Sequence, residues 1–198
     1  GKFDGVIGGP PCQAFSSLKR LNDYLGATEK FGNLIPEFER VVQEANPTWF
    51  LMENVPDAPR PSVPHYYVIS RLFSDEAVGG LTRRVRRFTF GTIYPETPDF
   101  YAQPVALQTV YAGARAVTGD DRVLTVGARI RSKQKGGGCL PGSGKLTPLP
   151  DMLRRQGLPD TFFDQQPFTE RGKRQMLGNG VPLPMGRAVA QAVKRAVA

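Results

Sequence analysis

The opening stretch of the chain, residues 3–13 (FDGVIGGPPCQ), constrains the fold more than any other. Residues 5–7 form a short apolar run of the kind that becomes a buried strand in an α/β sheet. Two glycines end this run, and Pro10 and Pro11 then fix the backbone φ angle at two successive positions. Cys12 is therefore predicted to lie on a stiff turn beyond the carboxyl end of a strand, where open α/β sheets collect catalytic and ligand-binding groups.

A single cysteine in this position has two interpretations, because a free cysteine is more often a small buried hydrophobe than a nucleophile. The chain contains two cysteines, Cys12 and Cys139, without Cys-x-x-Cys spacing, and one histidine, His65. These three residues cannot assemble a zinc site from cysteine and histidine alone. The choice between a buried thiol and a nucleophile therefore depends on what else the fold brings to Cys12.

The composition indicates a globular protein with a polyanionic partner. The 198 residues suit one domain, or one domain and a small second one. There are 26 Lys and Arg residues against 18 Asp and Glu residues, a net charge of +8. Such an excess favours nucleic acid first and an acidic membrane surface second, with a merely basic soluble protein as the alternative. No run of 18 apolar residues occurs, so no membrane-spanning helix is expected.

The next hundred residues predict a parallel crossover. Residues 34–45 have helical periodicity, with Val41 among the inward residues, and Asn46-Pro47 ends the helix. Residues 49–52 predict a second buried strand, which ends at Glu53. Because the carboxyl ends of parallel strands meet at one edge of a sheet, Cys12 and Glu53 are expected to emerge at the same edge.

Several further elements are predicted along the rest of the chain. Four arginines precede a strand that contains Phe88 and Phe90, and a solvated basic strand edge is the alternative to a functional role for them. The other predicted elements, in chain order, are a short helix over residues 65–73, a small irregular β module that includes a run at 123–126, a helix at 151–155, a glycine-bracketed turn at 175–182 and a helix over 184–198.

Five short motifs occur in the order and approximate spacing of the cytosine-5 DNA methyltransferase family, which the chain resembles. They are Pro10-Pro11-Cys12-Gln13 (motif IV), Glu53-Asn54-Val55 (motif VI), Thr82-x-Arg84-x-Arg86 (motif VIII), the stretch from Asp151 to Asp160 (motif IX) and Gly178-Asn179-Gly180-Val181-Pro182 (motif X). The family usually has glutamine where Thr82 stands and glutamate where Asp151 stands.

The resemblance implies an α/β fold, a partial Rossmann-like S-adenosylmethionine-dependent methyltransferase sheet with a small, mostly β target-recognition module inserted. It implies a catalytic α/β part at 1–91, the target-recognition module at 92–145 and a return to the catalytic domain at 146–198. The implied substrate is cytosine in double-stranded DNA, flipped out of the duplex. The protein would then be cytoplasmic and nucleoid-associated, in a prokaryote or a phage.

The resemblance also implies roles for individual residues. Cys12 would add to carbon 6 of the base, Glu53 would protonate or bind nitrogen 3, and Arg86, supported by Arg84, would bind the ring carbonyl and the carboxylate. The implied catalytic residues are Cys12, Glu53, Arg84 and Arg86; those near S-adenosylmethionine are Pro10, Pro11, Asn179 and Val181; and those that bind the substrate are Gln13, Ser16, Ser17 and Asn54.

One part of the family pattern is not found in this sequence. The family's N-terminal third, with a Phe-x-Gly-x-Gly loop and an acidic residue for the adenosine ribose, has no counterpart. We therefore expect a fragment of a longer protein or, as the alternative, a partner chain that supplies the missing segment. A non-catalytic DNA-binding remnant or subunit and an RNA cytosine-5 methyltransferase are two further alternatives. The separate basic module favours DNA over RNA.

Overall fold

The computed structural model describes residues 3–12, 14–15, 32–95, 100 and 147–198, together with the backbone of 130–131 and 135–136. The chain divides into two compact units. The first comprises Gly1–Phe73, Val85–Tyr101 and Gln191–Ala198, and the second comprises Ser74–Arg84 and Ala102–Ala190.

The first unit is built on a four-stranded mixed sheet. Strand β1 (Gly5–Gly8) pairs in parallel with β2 (Trp49–Asn54). Strand β3 (Tyr67–Ser74) is followed by β4 (Val85–Thr92), and β4 pairs antiparallel with β2. The strand order is β1-β2-β4-β3, so β4 lies between two neighbours. The predicted α/β class and the parallel pairing of the first two strands are thus confirmed.

Helix α1 (Ile35–Ala45) makes the crossover between β1 and β2. Ile35, Phe38 and Val42 are buried, as an inward stripe at helical spacing requires, and Asn46 ends the helix in the left-handed conformation. Val41 was expected to face inward but is 42% exposed. Val41 lies next to the exposed Arg40 on the outer side of the helix, because the inward stripe consists of Ile35, Phe38 and Val42.

Strand β1 is buried on one side only. Val6 packs against the core cluster that contains α1, while Ile7 is 70% exposed. Successive side chains of a strand point to opposite faces, so the helix that covers Val6 cannot also cover Ile7. The prediction of a fully buried first strand is wrong in this respect.

Residues 65–73 do not form the predicted helix, because β3 occupies Tyr67–Ser74. His65 has a φ angle of 68°, which is incompatible with the first turn of a right-handed helix. Ser70 is buried, and its hydroxyl forms a hydrogen bond of 3.0 Å with the hydroxyl of Thr89 on β4. Pairing with a neighbour distant in sequence therefore overrode a local pattern that suited either structure.

The second unit contains helix α2 (Leu149–Arg155), a 3₁₀ turn (Asp160–Phe163), helix α3 (Glu170–Asn179) and the first part of helix α4 (Leu183–Val197). The helices predicted at 151–155 and 184–198 are confirmed. The turn predicted over 175–182 is wrong for residues 175–179, because α3 continues to Asn179. Ala192 and Val193 of α4 are buried as expected, whereas Val197 is 47% exposed.

Little of the predicted recognition module lies within the described residues. Strands β5 (Ile130–Arg131) and β6 (Lys135–Gly136) pair antiparallel. The run at 123–126 lies outside the described residues, as do the limits of the module at 145–146. The division at 91/92 and 145/146 stays a prediction.

Gly91 of β4 has no room for a side chain. A Cβ atom at this position would lie 2.1 Å from Cε1 of Phe50, which is completely buried. We expect Gly91→Ala to lower the free energy of unfolding by about 1–3 kcal/mol, the usual cost of overpacking a core. Urea denaturation measures the change. The matched control is Gly186→Ala in α4, where an added Cβ meets nothing within 4 Å and should stabilise the helix by about 0.5–1 kcal/mol. Equal stability of both variants would contradict this packing.

Candidate active site

Cys12 lies on a turn beyond the end of β1. Its carbonyl oxygen accepts a hydrogen bond of 3.0 Å from the backbone N–H of Phe15, which closes the turn. Phe15 packs against the core cluster and so anchors the turn to the first unit. The thiol is free and the residue is half-buried. Cys12 is therefore partly accessible rather than a fully enclosed core residue.

The end of β2 lies directly beside this turn. Parallel pairing places Gly8 next to Met52, so Gly9 and Glu53 follow at the same edge of the sheet. A Cβ atom on Gly9 would lie 3.4 Å from Oε2 of Glu53, which shows that the carboxylate packs against the glycine backbone. The predicted common edge is confirmed, and Gly9 allows the close approach because it lacks a side chain.

Asn54 ties the two strand ends together. Its Nδ2 donates a hydrogen bond of 3.2 Å to the carbonyl oxygen of Pro10, and its Oδ1 accepts one of 2.8 Å from the N–H of Val55. The residue is 1% exposed. In this structure Asn54 positions the loop before Cys12, while its predicted contact with the substrate stays a prediction.

Glu53 forms an ion pair with Arg86 of β4. Glu53 lies opposite Phe88 in the antiparallel register. Arg86 is two residues before Phe88 in the same strand, so it lies on the same face of the sheet. Nε of Arg86 is 3.0 Å from Oε1 of Glu53, and the two side chains are 18% and 25% exposed, respectively. A charge-assisted contact in such a partly enclosed place fixes the carboxylate more firmly than an exposed ion pair would.

The alternative of a solvated basic strand edge is wrong for the arginines of β4. This strand has a neighbour on each side, and Arg86 is mostly enclosed. Nη1 of Arg86 donates to the carbonyl oxygen of Val85 at 2.8 Å.

Arg87 is a positioning residue that the sequence did not reveal. It lies opposite Asn54, on the other face of the sheet from Glu53. Its Nε donates to the carbonyl oxygen of Pro56 at 2.9 Å, its Nη2 also reaches that oxygen, and its Nη1 is 3.4 Å from the hydroxyl of Ser70. Arg87 thus holds the chain that leaves β2 after Asn54. A run of arginines gives no sign of which member binds a backbone carbonyl.

The remaining predicted residues fall into two groups. Arg84 belongs to the second unit, is 2% exposed, and donates to the carbonyl oxygens of Gly178 and Asn179 at 2.9 and 3.2 Å. The side chain of Asn179 is exposed and Val181 is half-buried. The predicted substrate-binding residues Gln13, Ser16 and Ser17 lie outside the described residues.

Two further features of the described part of the chain concern metals and membranes. No group of three or more His, Cys, Asp and Glu side chains is placed to hold a metal ion there. No helix among those residues is both long and apolar enough to cross a membrane.

Comparisons with known proteins relate this chain to methyltransferases. Residues 1–62 match the family model for the C-5 cytosine-specific DNA methylase. The Type II methyltransferase M.AquIA of Picosynechococcus is 50% identical over 54 residues, which are 27% of this chain and 21% of that protein. The Type II methyltransferase M.HindV of Haemophilus influenzae is 25% identical over 235 residues, which cover 96% of this chain and 74% of that protein.

The extent of these matches differs between relatives. In five bacterial Type II methyltransferases the matching segment makes up only 14% to 36% of the protein. A solved structure, the methyltransferase EhMeth of Entamoeba histolytica, aligns with a TM-score of 0.62 at 12% identity, over 98% of this chain and 78% of that chain. This likeness shows a shared methyltransferase fold. Residues 1–62, which include Cys12 and Glu53, are thus similar to C-5 cytosine-specific DNA methylases, and the chain as a whole is similar to a Type II methyltransferase.

Proposed function

We propose that this chain carries the catalytic residues of an enzyme that transfers a methyl group to carbon 5 of cytosine in double-stranded DNA. The observation that carries the proposal is the ion pair of Glu53 and Arg86 at the strand edge that also holds the Cys12 turn. A thiol, a fixed carboxyl group and an arginine are the three groups that the chemistry needs. The match of residues 1–62 to the C-5 cytosine-specific DNA methylase favours DNA over RNA as the substrate.

The first step is addition of the Cys12 thiolate to carbon 6 of the ring. The thiolate electron pair forms the new carbon–sulfur bond, and the electrons of the carbon 5–carbon 6 double bond move towards nitrogen 3. In this step Glu53 enters as the neutral carboxylic acid, gives its proton to nitrogen 3 and so neutralises the ring, and becomes the carboxylate that pairs with Arg86. The result is an enamine whose carbon 5 is nucleophilic, and this is the activation that free cytosine lacks.

Arg86 keeps Glu53 in place and offers donors to the base. Its Nε is committed to the carboxylate, while Nη2 can donate to the ring carbonyl. The fork of the guanidinium thus fixes the distance between the proton donor and the base. Positioning of this kind contributes to catalysis because it is made before the reaction begins.

Pro10, Pro11, Asn179 and Val181 are proposed to bind S-adenosylmethionine. Pro11 and Asn179 are exposed, and Pro10 and Val181 are half-buried, so apolar surface and one amide side chain are available. S-Adenosylmethionine would supply the methyl group that carbon 5 of the base accepts. The groups that would bind the ribose are not among these four residues, and a further segment or a partner chain is proposed to supply them.

The remaining parts of the proposal concern the DNA. The base is flipped out because ring carbon 6 is inaccessible to a thiol inside a duplex. Gln13, Ser16 and Ser17 are proposed to contact the flipped nucleotide, and the module at 92–145 is proposed to read flanking bases. The net charge of +8 suits a phosphate backbone. A cytoplasmic, nucleoid-associated location in a prokaryote or phage goes with this role.

Trapping with 5-fluorocytosine tests the proposal. Fluorine at carbon 5 replaces the proton that must leave before the thiol is released, so the adduct should persist. We expect the full-length protein that contains this chain, with S-adenosylmethionine, to form a covalent complex with a 5-fluorocytosine duplex. Peptide mass spectrometry should locate the bond at Cys12.

Two controls make the trapping experiment decisive. The same duplex with ordinary cytosine should leave no stable adduct, and a 5-fluorocytosine RNA of the same sequence should give none. Absence of any adduct would favour a non-catalytic DNA-binding protein. An adduct with RNA alone would favour an RNA methyltransferase, and attachment at another residue would reject Cys12 as the nucleophile.

A further inference from the structure

A buried carboxyl group lies in the second unit, outside the family motifs. Asp75 is completely buried, and its Oδ2 accepts hydrogen bonds from the backbone N–H of Thr82 at 3.0 Å and from the Thr82 hydroxyl at 2.6 Å. Gly80 is packed against it so closely that a Cβ atom there would lie 1.9 Å from Oδ1. The N–H of Gly80 also donates to the carbonyl oxygen of Asp75 at 2.7 Å. Asp75 therefore has one well-defined position.

Asp75 is linked to Arg84 through the backbone. Burial raises the pKa of Asp75, while the hydrogen bonds from Thr82 and the positive charge of Arg84 act in the opposite direction. The backbone N–H of Asp75 donates to the carbonyl oxygen of Arg84 at 2.9 Å. Arg84 is itself 2% exposed, so its charge depends on hydrogen-bond partners within the fold.

The guanidinium of Arg84 binds the end of helix α3. Nη1 donates to the carbonyl oxygen of Gly178, and Nη2 donates to that of Asn179. The last carbonyl groups of a helix have no partner within the helix and carry its negative dipole end. The guanidinium group of Arg84 donates a hydrogen bond to each of two carbonyl oxygens and places its positive charge at the negative end of the helix dipole. The exposed side chain of Asn179 and the half-buried Val181 belong to this same stretch of chain.

We propose that Asp75 and Arg84 form a buried positioning pair that holds residues 178–181 in the shape that S-adenosylmethionine requires. This inference rests on the proposed function. It gives Arg84 a different role from Arg86: Arg86 contacts the catalytic carboxylate, while Arg84 acts on the cofactor through the backbone of Gly178 and Asn179. A lysine cannot replace Arg84, because one ammonium group cannot donate to both carbonyls in the same geometry.

Two readouts in the full-length enzyme test the pair with the variants Arg84→Lys and Asp75→Asn. Loss of a charge-assisted hydrogen bond should speed amide hydrogen exchange at residues 180 and 181 by about 10-fold or more. The KM for S-adenosylmethionine should rise by about 10- to 100-fold, with kcat at saturating cofactor changed by less than about threefold. Asp75→Asn keeps an oxygen that can accept the hydrogen bonds from Thr82. This variant should therefore fold even if Arg84→Lys does not.

Arg174→Lys is the matched control. Arg174 lies on the same helix, and its Nη1 donates to a backbone carbonyl, that of Thr147, at 2.7 Å. This variant should lose comparable thermal stability without altering the KM for S-adenosylmethionine. A rise in KM equal to that of Arg84→Lys would show a general stability effect and would overturn the proposal.

The remaining outcomes separate the two proposals. Unchanged exchange at residues 180 and 181 would overturn the positioning pair, whatever the activity. A fall in kcat at saturating cofactor with an unchanged KM would overturn it in favour of a direct role for Arg84 at the base. If the wild-type enzyme transfers no methyl group but exchange still responds to Arg84→Lys, the proposed function fails while the holding of residues 178–181 by Arg84 stands.

Discussion

Cys12→Ser is expected to reduce methyl transfer at least about a thousandfold, because the reaction begins with attack by a thiolate. A cysteine thiol is a few per cent ionised near neutral pH, whereas a serine hydroxyl is essentially never ionised. The substitution is nearly isosteric, so the turn that the N–H of Phe15 closes on the carbonyl of Cys12 should remain. Incorporation of labelled methyl groups into duplex DNA under single-turnover conditions measures the loss.

The other cysteine provides the control. Cys139→Ser makes the same replacement at the second cysteine and should leave the single-turnover rate within about twofold of the parent. Both variants should keep their affinity for DNA, since neither removes a positive charge. A Cys12→Ser enzyme that retains more than a tenth of the parent rate would show that another group attacks the base.

Glu53→Gln is expected to lower the rate of methyl transfer by about 10²- to 10⁴-fold, the usual contribution of a positioned general acid. Glutamine keeps the size of the side chain beside Gly9, but it cannot deliver a proton to nitrogen 3 and loses the charge that pairs with Arg86. Affinity for DNA should be retained. The measurement is the single-turnover rate, compared with the Kd for the duplex.

A double-mutant cycle tests whether Glu53 and Arg86 act as one unit. The Glu53→Gln and Arg86→Lys substitutions together should raise the activation free energy of methyl transfer by much less than the sum of their separate effects, because either one already breaks the 3.0 Å contact. Glu37→Gln is the matched control, since Glu37 also pairs with an arginine, Arg40, at 2.9 Å, but on the exposed surface of α1. Strict additivity in the cycle, or an equal loss in Glu37→Gln, would contradict the role given to Glu53.

The sheet edge that holds Cys12 and Glu53 could be predicted from sequence because its signals are local. A short apolar run, two glycines and two prolines define the end of β1 before Cys12, and a second apolar run ends at Glu53. Between them, the inward stripe of α1 predicts a crossover, and a crossover makes the two strands parallel. Each step uses residues within a few positions of one another, so the common edge follows without any long-range information.

The error at residues 65–73 shows where local signals fail. Val68, Ile69, Leu72 and Phe73 suit one face of a helix, yet the segment is a strand beside β4. The left-handed residue His65 and the hydrogen bond between Ser70 and Thr89 favour the strand. The hydrogen bond cannot be read from a single stretch of sequence, because it depends on where β4 lies.

The sequence by itself determined which chemical groups are present: a cysteine, a carboxyl group and arginines near the ends of strands, in an order that resembles a known family. The tertiary structure decided which partner each arginine contacts. Antiparallel register places Arg86 on the face of Glu53 and Arg87 on the opposite face, against the carbonyl of Pro56. Arg84 instead reaches the carbonyls of Gly178 and Asn179, more than ninety residues away in the chain. Arginines two residues apart have the same local pattern, and only the partners that folding brings to them give them different roles.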